Sequence, residues 1–141
     1  MNTIQIERAL RHINDFDGCY SIDTLPAHPR LLICNTDPSD KPGEHWICIG
    51  VRDDIGEYFD SYGMSPNATL KRYMNSVCKH WTFNAKQLQS IISRVCAHYC
   101  IYYIVLKSKG FTMTDIVSSF SDDTSFNDCF VHAFICLNIN R

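Results

Sequence analysis

Four side chains in this sequence are of the types, and at the positions, that nucleophilic chemistry would need. Cys96 stands where a long apolar run begins: Ser93-Arg94-Val95 precedes it, and Ala97 to Leu106 is almost wholly apolar. If that run is a helix, its first N–H groups are unpaired and carry partial positive charge, which favours a thiolate. Such a setting lowers a cysteine pKa from about 8.5 into the range of roughly 3.5–7.5, most of all beside a histidine. Gln89, seven residues upstream, could direct a side-chain N–H to the same point as an oxyanion donor, a role typically worth ~3–4 kcal/mol in a transition state. His45 follows Gly43-Glu44 and opens a strand-like run, so its ring could stand at a strand end facing a cleft, and Asp60 closes the next such run. Each feature alone also has a plain structural reading. A cysteine at a helix start is more often a packed core residue, a glutamine is more often solvated, and a strand-end histidine is usually structural.

The relation of His45 to Asp60 depends on a hairpin. The runs His45–Val51 and Glu57–Asp60 flank Arg52-Asp53-Asp54-Ile55-Gly56. A two-residue turn at Asp53-Asp54 sets residue 47 opposite residue 60, leaving His45 and Asp60 on one face as diagonal neighbours at ~7–8 Å. A slip of one residue puts them on opposite faces. The sequence leaves that register open.

The other elements follow from periodicity and punctuation. Ile4, Ile6, Leu10 and Ile13 form a helical stripe that closes before Asp17-Gly18. A looser stretch with Pro26 and Pro29 leads to a strand over Leu31–Asn35, and the turn formers from Asp37 to Gly43 make an exposed loop. Ser65-Pro66 reads as N-cap and first helical residue, with Leu70, Tyr73, Met74 and Val77 as the apolar face. Trp81–Asn84 reads as a further strand. The run from Cys96 to Leu106 ends at Lys107-Ser108-Lys109-Gly110, a basic last turn and a glycine that suit a helix C-terminus. Being apolar nearly all round, it reads as a buried central helix, with a strand as the competing reading because Ile, Tyr and Val favour strands. Phe126, Cys129/Phe130, Ala133/Phe134 and Leu137 give a last amphipathic helix. The sum is one α+β domain over residues 1–141: a small antiparallel sheet, a buried central helix and outer helices.

The chain has 141 residues, is 45% hydrophobic and 20% charged, and carries a net charge of −2. This suits one domain with a real core and excludes both a highly charged disordered chain and bulk basicity as a route to nucleic acid. Most of the eight cysteines lie in apolar runs, and the start shows no cationic segment followed by an apolar stretch, so free thiols in a reducing compartment are expected. Tyr99 to Leu106, the longest apolar run, is far short of the ~20 residues a membrane helix needs, so no membrane partner is expected. Cys129, His132 and Cys136 would share a helix face as zinc ligands do, but burial is the better reading, since no paired CxxC accompanies them. No metal or cofactor is expected. His98, a rival base two residues after Cys96, would point away from it on a helix.

Read together, the ordered set resembles the adenovirus-type cysteine endopeptidases, a viral group related to the ubiquitin-like-protein proteases. That family carries a His-Trp pair, an aromatic-acidic-Pro/Ser-aromatic-Gly box, and Gln-x6-Cys-Gly-x-x-Cys. The matching segments here are His45-Trp46, Phe59-Asp60-Ser61-Tyr62-Gly63, and Gln89 with Cys96 and Cys100; Asn35-Thr36 resembles an Asn-Thr pair of the adenoviral enzymes. The resemblance runs from about Gly18 to Tyr103.

It implies a papain-like fold with Cys96 as nucleophile, His45 as its ion-pair partner and proton donor, and Asp60 orienting His45. Gln89 and the Cys96 backbone N–H would bind the oxyanion, Trp46 would pack beside the catalytic pair, and Trp46 and Asn35 would border the substrate. The implied substrates are capsid or core precursors cut after a small residue such as glycine, in a host cytoplasm or nucleus, by a monomer packaged in the virion. Three features depart from the pattern: Ala97 replaces the usual glycine, the chain is short, and it is slightly acidic. The need for a DNA or peptide activator is therefore not carried over. Shorter relatives of virophages and virus-like transposons are the better match. Two alternatives stay open: a protease that removes ubiquitin or ubiquitin-like tails, and a non-catalytic binding domain on a decayed protease fold.

Overall fold

The computed structural model describes residues 1–40 and 45–139. The expected loop from Asp37 to Gly43 therefore falls partly outside the described residues, as does the Gly43-Glu44 pair before His45. In chain order the elements are α1 (Thr3–Leu10), β1 (Phe16–Ser21), β2 (Leu31–Asn35), β3 (Trp46–Arg52), β4 (Ile55–Phe59), α2 (Ala68–Val77), β5 (His80–Phe83), α3 (Cys96–Ser108), α4 (Met113–Ser118) and α5 (Thr124–Asn138).

The five strands form one sheet in sequence order. The middle pairs, β2 with β3 and β3 with β4, are antiparallel as expected, but the outer strands β1 and β5 join parallel. The wholly antiparallel sheet is thus corrected to a mixed one. The reason is connectivity: α2 carries the chain from β4 back to the start of β5, and a crossover connection returns a strand parallel. Likewise the Pro26 and Pro29 stretch carries the chain from β1 to β2. β1 itself lacks a clear alternation, and all six of its residues are half-buried.

Alternation along the strands divides the interior between two faces. Leu31, Ile33, Cys48 and Phe59 pack with α1, α3, α4 and α5, whereas Leu32, Cys34, Ile47, Ile49 and Tyr58 pack with Leu70, Met74 and Cys78. Helix α3 is the central helix the sequence predicts. Nine of its thirteen residues are buried, and Gly110, with φ of 92°, follows its C-terminus.

Two local expectations are corrected. The N-cap of α2 is Asn67, whose side chain accepts the Leu70 N–H at 2.9 Å, and Ser65-Pro66 lies ahead of the helix. In α5 the buried side chains are Asn127, Val131 and Ile135, while Phe126 and Leu137 are exposed. Phe130 and Phe134 still meet Tyr102 edge-on, at 5.5 and 5.0 Å between ring centres. The helix is apolar over more than one face, so composition marked the wrong stripe; its seat was set by Asn127, which donates to Leu88 O and Ser121 O.

Candidate active site

Hairpin register decides the first half of the site. Asp53 and Asp54 have φ of 51° and 67°, the backbone of a two-residue type I′ turn. Cys48 lies opposite Phe59 and Ile49 opposite Tyr58, so the same register carried outward sets 47 opposite 60 and 45 opposite 62. The outcome is direct contact: His45 Nε2 donates to Asp60 Oδ1 at 2.8 Å, and the Tyr62 ring stacks on the imidazole at 4.7 Å with a 28° tilt.

Asp60 is held in turn. Its backbone N–H donates to Asn84 Oδ1 at 2.8 Å, Asn84 Nδ2 donates back to Asp60 O at 2.6 Å, and the Tyr62 N–H donates to Asp60 Oδ1 at 2.8 Å. The turn closes with Gly63 N–H on Asp60 O at 2.8 Å. Gly63 has φ of +71°, and a Cβ there would stand 2.6 Å from the Lys86 carbonyl carbon and 2.8 Å from Gln87 N. Both the conformation and the close backbone exclude a side chain. Gly63→Ala is expected to lower stability by about 2–3 kcal/mol, measured by urea unfolding, and to displace Asp60 from His45.

Cys96 is the first residue of α3, and the N-cap Val95 offers no side chain to the free N–H groups. The sulfur fills that role. Burial by itself would raise the Cys96 pKa, but hydrogen bonding to His45 and to the backbone N–H groups of Trp46 and Ala97 outweighs it and the thiol titrates below its ordinary 9.0. The same balance governs His45: burial would lower its pKa, but Asp60 and Cys96 raise it to about 9. The two shifts run in the directions that favour a thiolate–imidazolium pair. His45 Nδ1, the nitrogen not used by Asp60, is buried and is the one left for the Cys96 thiol. The Ala97 methyl is buried with the core side chains.

Gln89 is fully buried in the connection between β5 and α3. Its Oε1 accepts from Ser61 Oγ at 2.5 Å, and its Nε2 faces Ser93 Oγ at 3.0 Å, Ser93 O at 3.2 Å and Tyr62 Oη at 3.4 Å. The segment is anchored by Leu88, whose side chain is in the core and whose carbonyl accepts from Asn127 Nδ2 at 3.1 Å. All four sequence-predicted site residues therefore converge, although Gln89 meets the others through Tyr62 and Ser93.

Asn35 and Trp46 are register partners on β2 and β3 and border a cleft of about 480 Å³ with Tyr20, Ser21, Thr24 and Ser39. Among the described residues, no charged side chain lines it. A second cleft, of about 700 Å³, includes Lys107 and Gly110 at the far end of α3, roughly 18 Å along the helix from Cys96.

Sequence reading missed Asn84, Ser93 and the stacking role of Tyr62. Only for Tyr62 was there a signal, since the expected register already set it opposite His45.

All eight cysteines are free, and Cys129 and Cys136 are exposed. His132 and Cys136 approach to 3.9 Å, and His132 stacks on His98 at 5.7 Å. Among the described residues, however, no group of three or more His, Cys, Asp and Glu could hold a metal ion. Burial, with the N-terminal amine and His132 nearby, lowers the His98 pKa to about 4, and the ring packs toward α5. No helix among the described residues is long and apolar enough to cross a membrane.

No protein-family model matches the chain. A curated protein does: the cysteine protease S273R of African swine fever virus is 30% identical over 122 residues, which are 77% of this chain and 45% of that protein. The chain is homologous to a viral cysteine protease. Crystal structures of the African swine fever virus pS273R protease are also similar. The selenomethionine form has 25% identity and a TM-score of 0.53 over 74% of this chain and 44% of that one. A second structure, at 20% identity, has a TM-score of 0.64 over 93% of this chain and 66% of the other. The chain thus spans about half the length of the curated viral protease it matches. Fold and homology are those of a cysteine protease with the papain-like arrangement the sequence led us to expect.

Proposed function

We propose that this chain is a cysteine endopeptidase in which Cys96 attacks the scissile carbonyl carbon. The Sγ–C bond forms as the carbonyl oxygen takes on negative charge, and Gln89 and the Cys96 backbone N–H receive it. The imidazolium of His45 gives its proton to the departing amine, leaving a thioester on Cys96. Water then attacks with its proton passing to His45, and the thiolate is restored. Asp60 keeps the His45 ring oriented and stabilises its charged form. The single observation that carries this reading is the Asp60–His45 hydrogen bond of 2.8 Å, and the lowered pKa of the Cys96 thiol agrees with it.

For substrate, the reading is a capsid or core precursor of a virus or virus-like element, cut during particle maturation in the host cell. It is supported by the viral homologue and by the ordered motifs His45-Trp46, Phe59 to Gly63 and Gln89 to Cys100 that resemble the adenovirus-type enzymes. Asn35 and Trp46 would bind the substrate in the cleft they border, whose lining side chains carry no charge. The enzyme would work as a monomer and be packaged with its substrate.

The test is the rate of iodoacetamide alkylation at each cysteine against pH, with sites assigned by peptide mapping, followed by cleavage of capsid-type peptides and of a folded ubiquitin-like substrate. Cys96 is expected to outpace the exposed Cys129 and Cys136 below pH 8. Cleavage should rise as Cys96 ionises and fall as His45 loses its proton near pH 9, because only the ion pair between those limits is competent. A Cys96 no faster than Cys129 would overturn the reading. Efficient cleavage of the folded substrate alone would move the function to deconjugation.

A further inference from the structure

The mechanism above asks Gln89 to present an N–H, yet an amide side chain has two nearly isosteric ends and only one of them donates. Something must choose between them. The Ser93 carbonyl, which can only accept, makes that choice on one side, and the residue placed to anchor the other end is Ser61, which is 1% exposed and follows Asp60 directly. Its hydroxyl lies 2.5 Å from Gln89 Oε1, and its carbonyl accepts both the Leu88 and Gln89 backbone N–H groups at 2.9 Å. With Nε2 committed to the Ser93 carbonyl, Ser61 Oγ donates to Oε1 and tethers it on that side.

The opposite end is fixed by the same logic. Nε2 has two hydrogens and three acceptors within reach, Ser93 Oγ, Ser93 O and Tyr62 Oη. A flipped amide would turn Oε1 against the Ser93 carbonyl, acceptor facing acceptor, whereas the Ser61 hydroxyl, able to accept as well as donate, would bond to either end. The longest of the three contacts, 3.4 Å, is the one to Tyr62, whose ring lies against His45. That N–H is the one most readily exchanged for a substrate oxygen.

We infer that Ser61 is a positioning residue for the reaction, tethering the Gln89 amide in the orientation the Ser93 carbonyl sets, so that its N–H stays turned toward the catalytic side. This rests on the reading of Gln89 as oxyanion donor. Adjacent residues of one turn then divide the work: Asp60 orients the base through His45, and Ser61 orients the donor through Gln89.

Two reagents separate this role from a merely structural one. Iodoacetamide alkylates Cys96 by displacement at carbon and forms no oxyanion, whereas p-nitrophenyl acetate acylates the same sulfur through one. Both rates are to be measured at Cys96 in wild type, Ser61→Ala, Gln89→Ala and the double variant. We expect Ser61→Ala to slow acylation about 10-fold and Gln89→Ala about 100-fold, with the pH profile of alkylation unchanged in both. The double variant should match Gln89→Ala, because Ser61 acts only through it. Ser61→Thr keeps the hydroxyl and should retain the wild-type acylation rate; Ser61→Cys, a weaker donor of similar shape, should be intermediate. These two serve if the alanine variant does not fold. Equal slowing by Ser61→Ala with and without Gln89, or full acylation in Ser61→Cys, would overturn the role of Ser61 and leave Gln89 intact. Unchanged acylation in Gln89→Ala would overturn both, while loss of Cys96 alkylation at neutral pH in the wild type would overturn the whole site.

Discussion

Cys96→Ala is expected to reduce peptide hydrolysis by about 10⁴-fold or more, down to the background of an unassisted site. The sulfur is the only atom in the arrangement able to form the covalent intermediate, and the remaining groups can bind and polarise a carbonyl but not attack it. The fold should survive, because the change removes one atom from the first residue of α3, not from the packed middle of the helix. Water can take over the Trp46 and Ala97 N–H groups that the sulfur occupied. The measurement pairs kcat/KM on a cleaved substrate with the thermal unfolding midpoint of the same preparation. Activity that persisted in a folded Cys96→Ala chain would remove Cys96 from the mechanism, and would point to another of the free thiols.

His45→Ala should be the next most damaging change, slowing acyl transfer at pH 7 by about 10²–10⁴-fold. Two effects combine. The hydrogen bond to His45 is the strongest of the influences that lower the Cys96 pKa, so without it burial prevails more fully and the thiolate fraction at neutral pH falls. The leaving amine also loses its proton donor. Alkylation of Cys96 in His45→Ala should therefore shift to higher pH, while cleavage stays low at every pH because no proton donor returns. A cleavage rate restored by raising the pH would show that His45 serves only to ionise the thiol.

Stability carries the same signature with a definite sign. The folded pKa of His45, about 9, lies above its ordinary 6.5, so its contribution is fully present below about pH 6.5 and is lost as pH rises through 9. Cys96 runs the other way: its contribution is present above 9.0 and is lost as pH falls through its lowered value. His45→Ala should accordingly cost more stability at pH 6 than at pH 10, as urea unfolding at the two values would show.

What the sequence by itself determined were the features encoded within one element or one turn. The buried helix from Cys96, its glycine stop at Gly110 and the strand Leu31–Asn35 depend on periodicity or on a residue able to take a left-handed backbone, and these are local properties, whereas the hairpin at Asp53-Asp54 was marked but its register left open. His45 and Asp60 were legible for the same reason, since a short turn leaves only two registers and one of them pairs the residues.

Tertiary structure decided whatever depends on partners distant in the chain. The parallel edge strands follow from how connections cross the sheet. The buried face of α5 follows from Asn127 reaching Leu88, 39 residues away, because in a helix apolar on several sides side-chain type alone does not select the face that packs. The direction of the Gln89 amide follows from the Ser93 carbonyl and is held by Ser61, which only the folded chain brings to its opposite ends. Periodicity reports which faces are apolar, but the pairing of polar groups across the core requires the fold to bring them within hydrogen-bond distance.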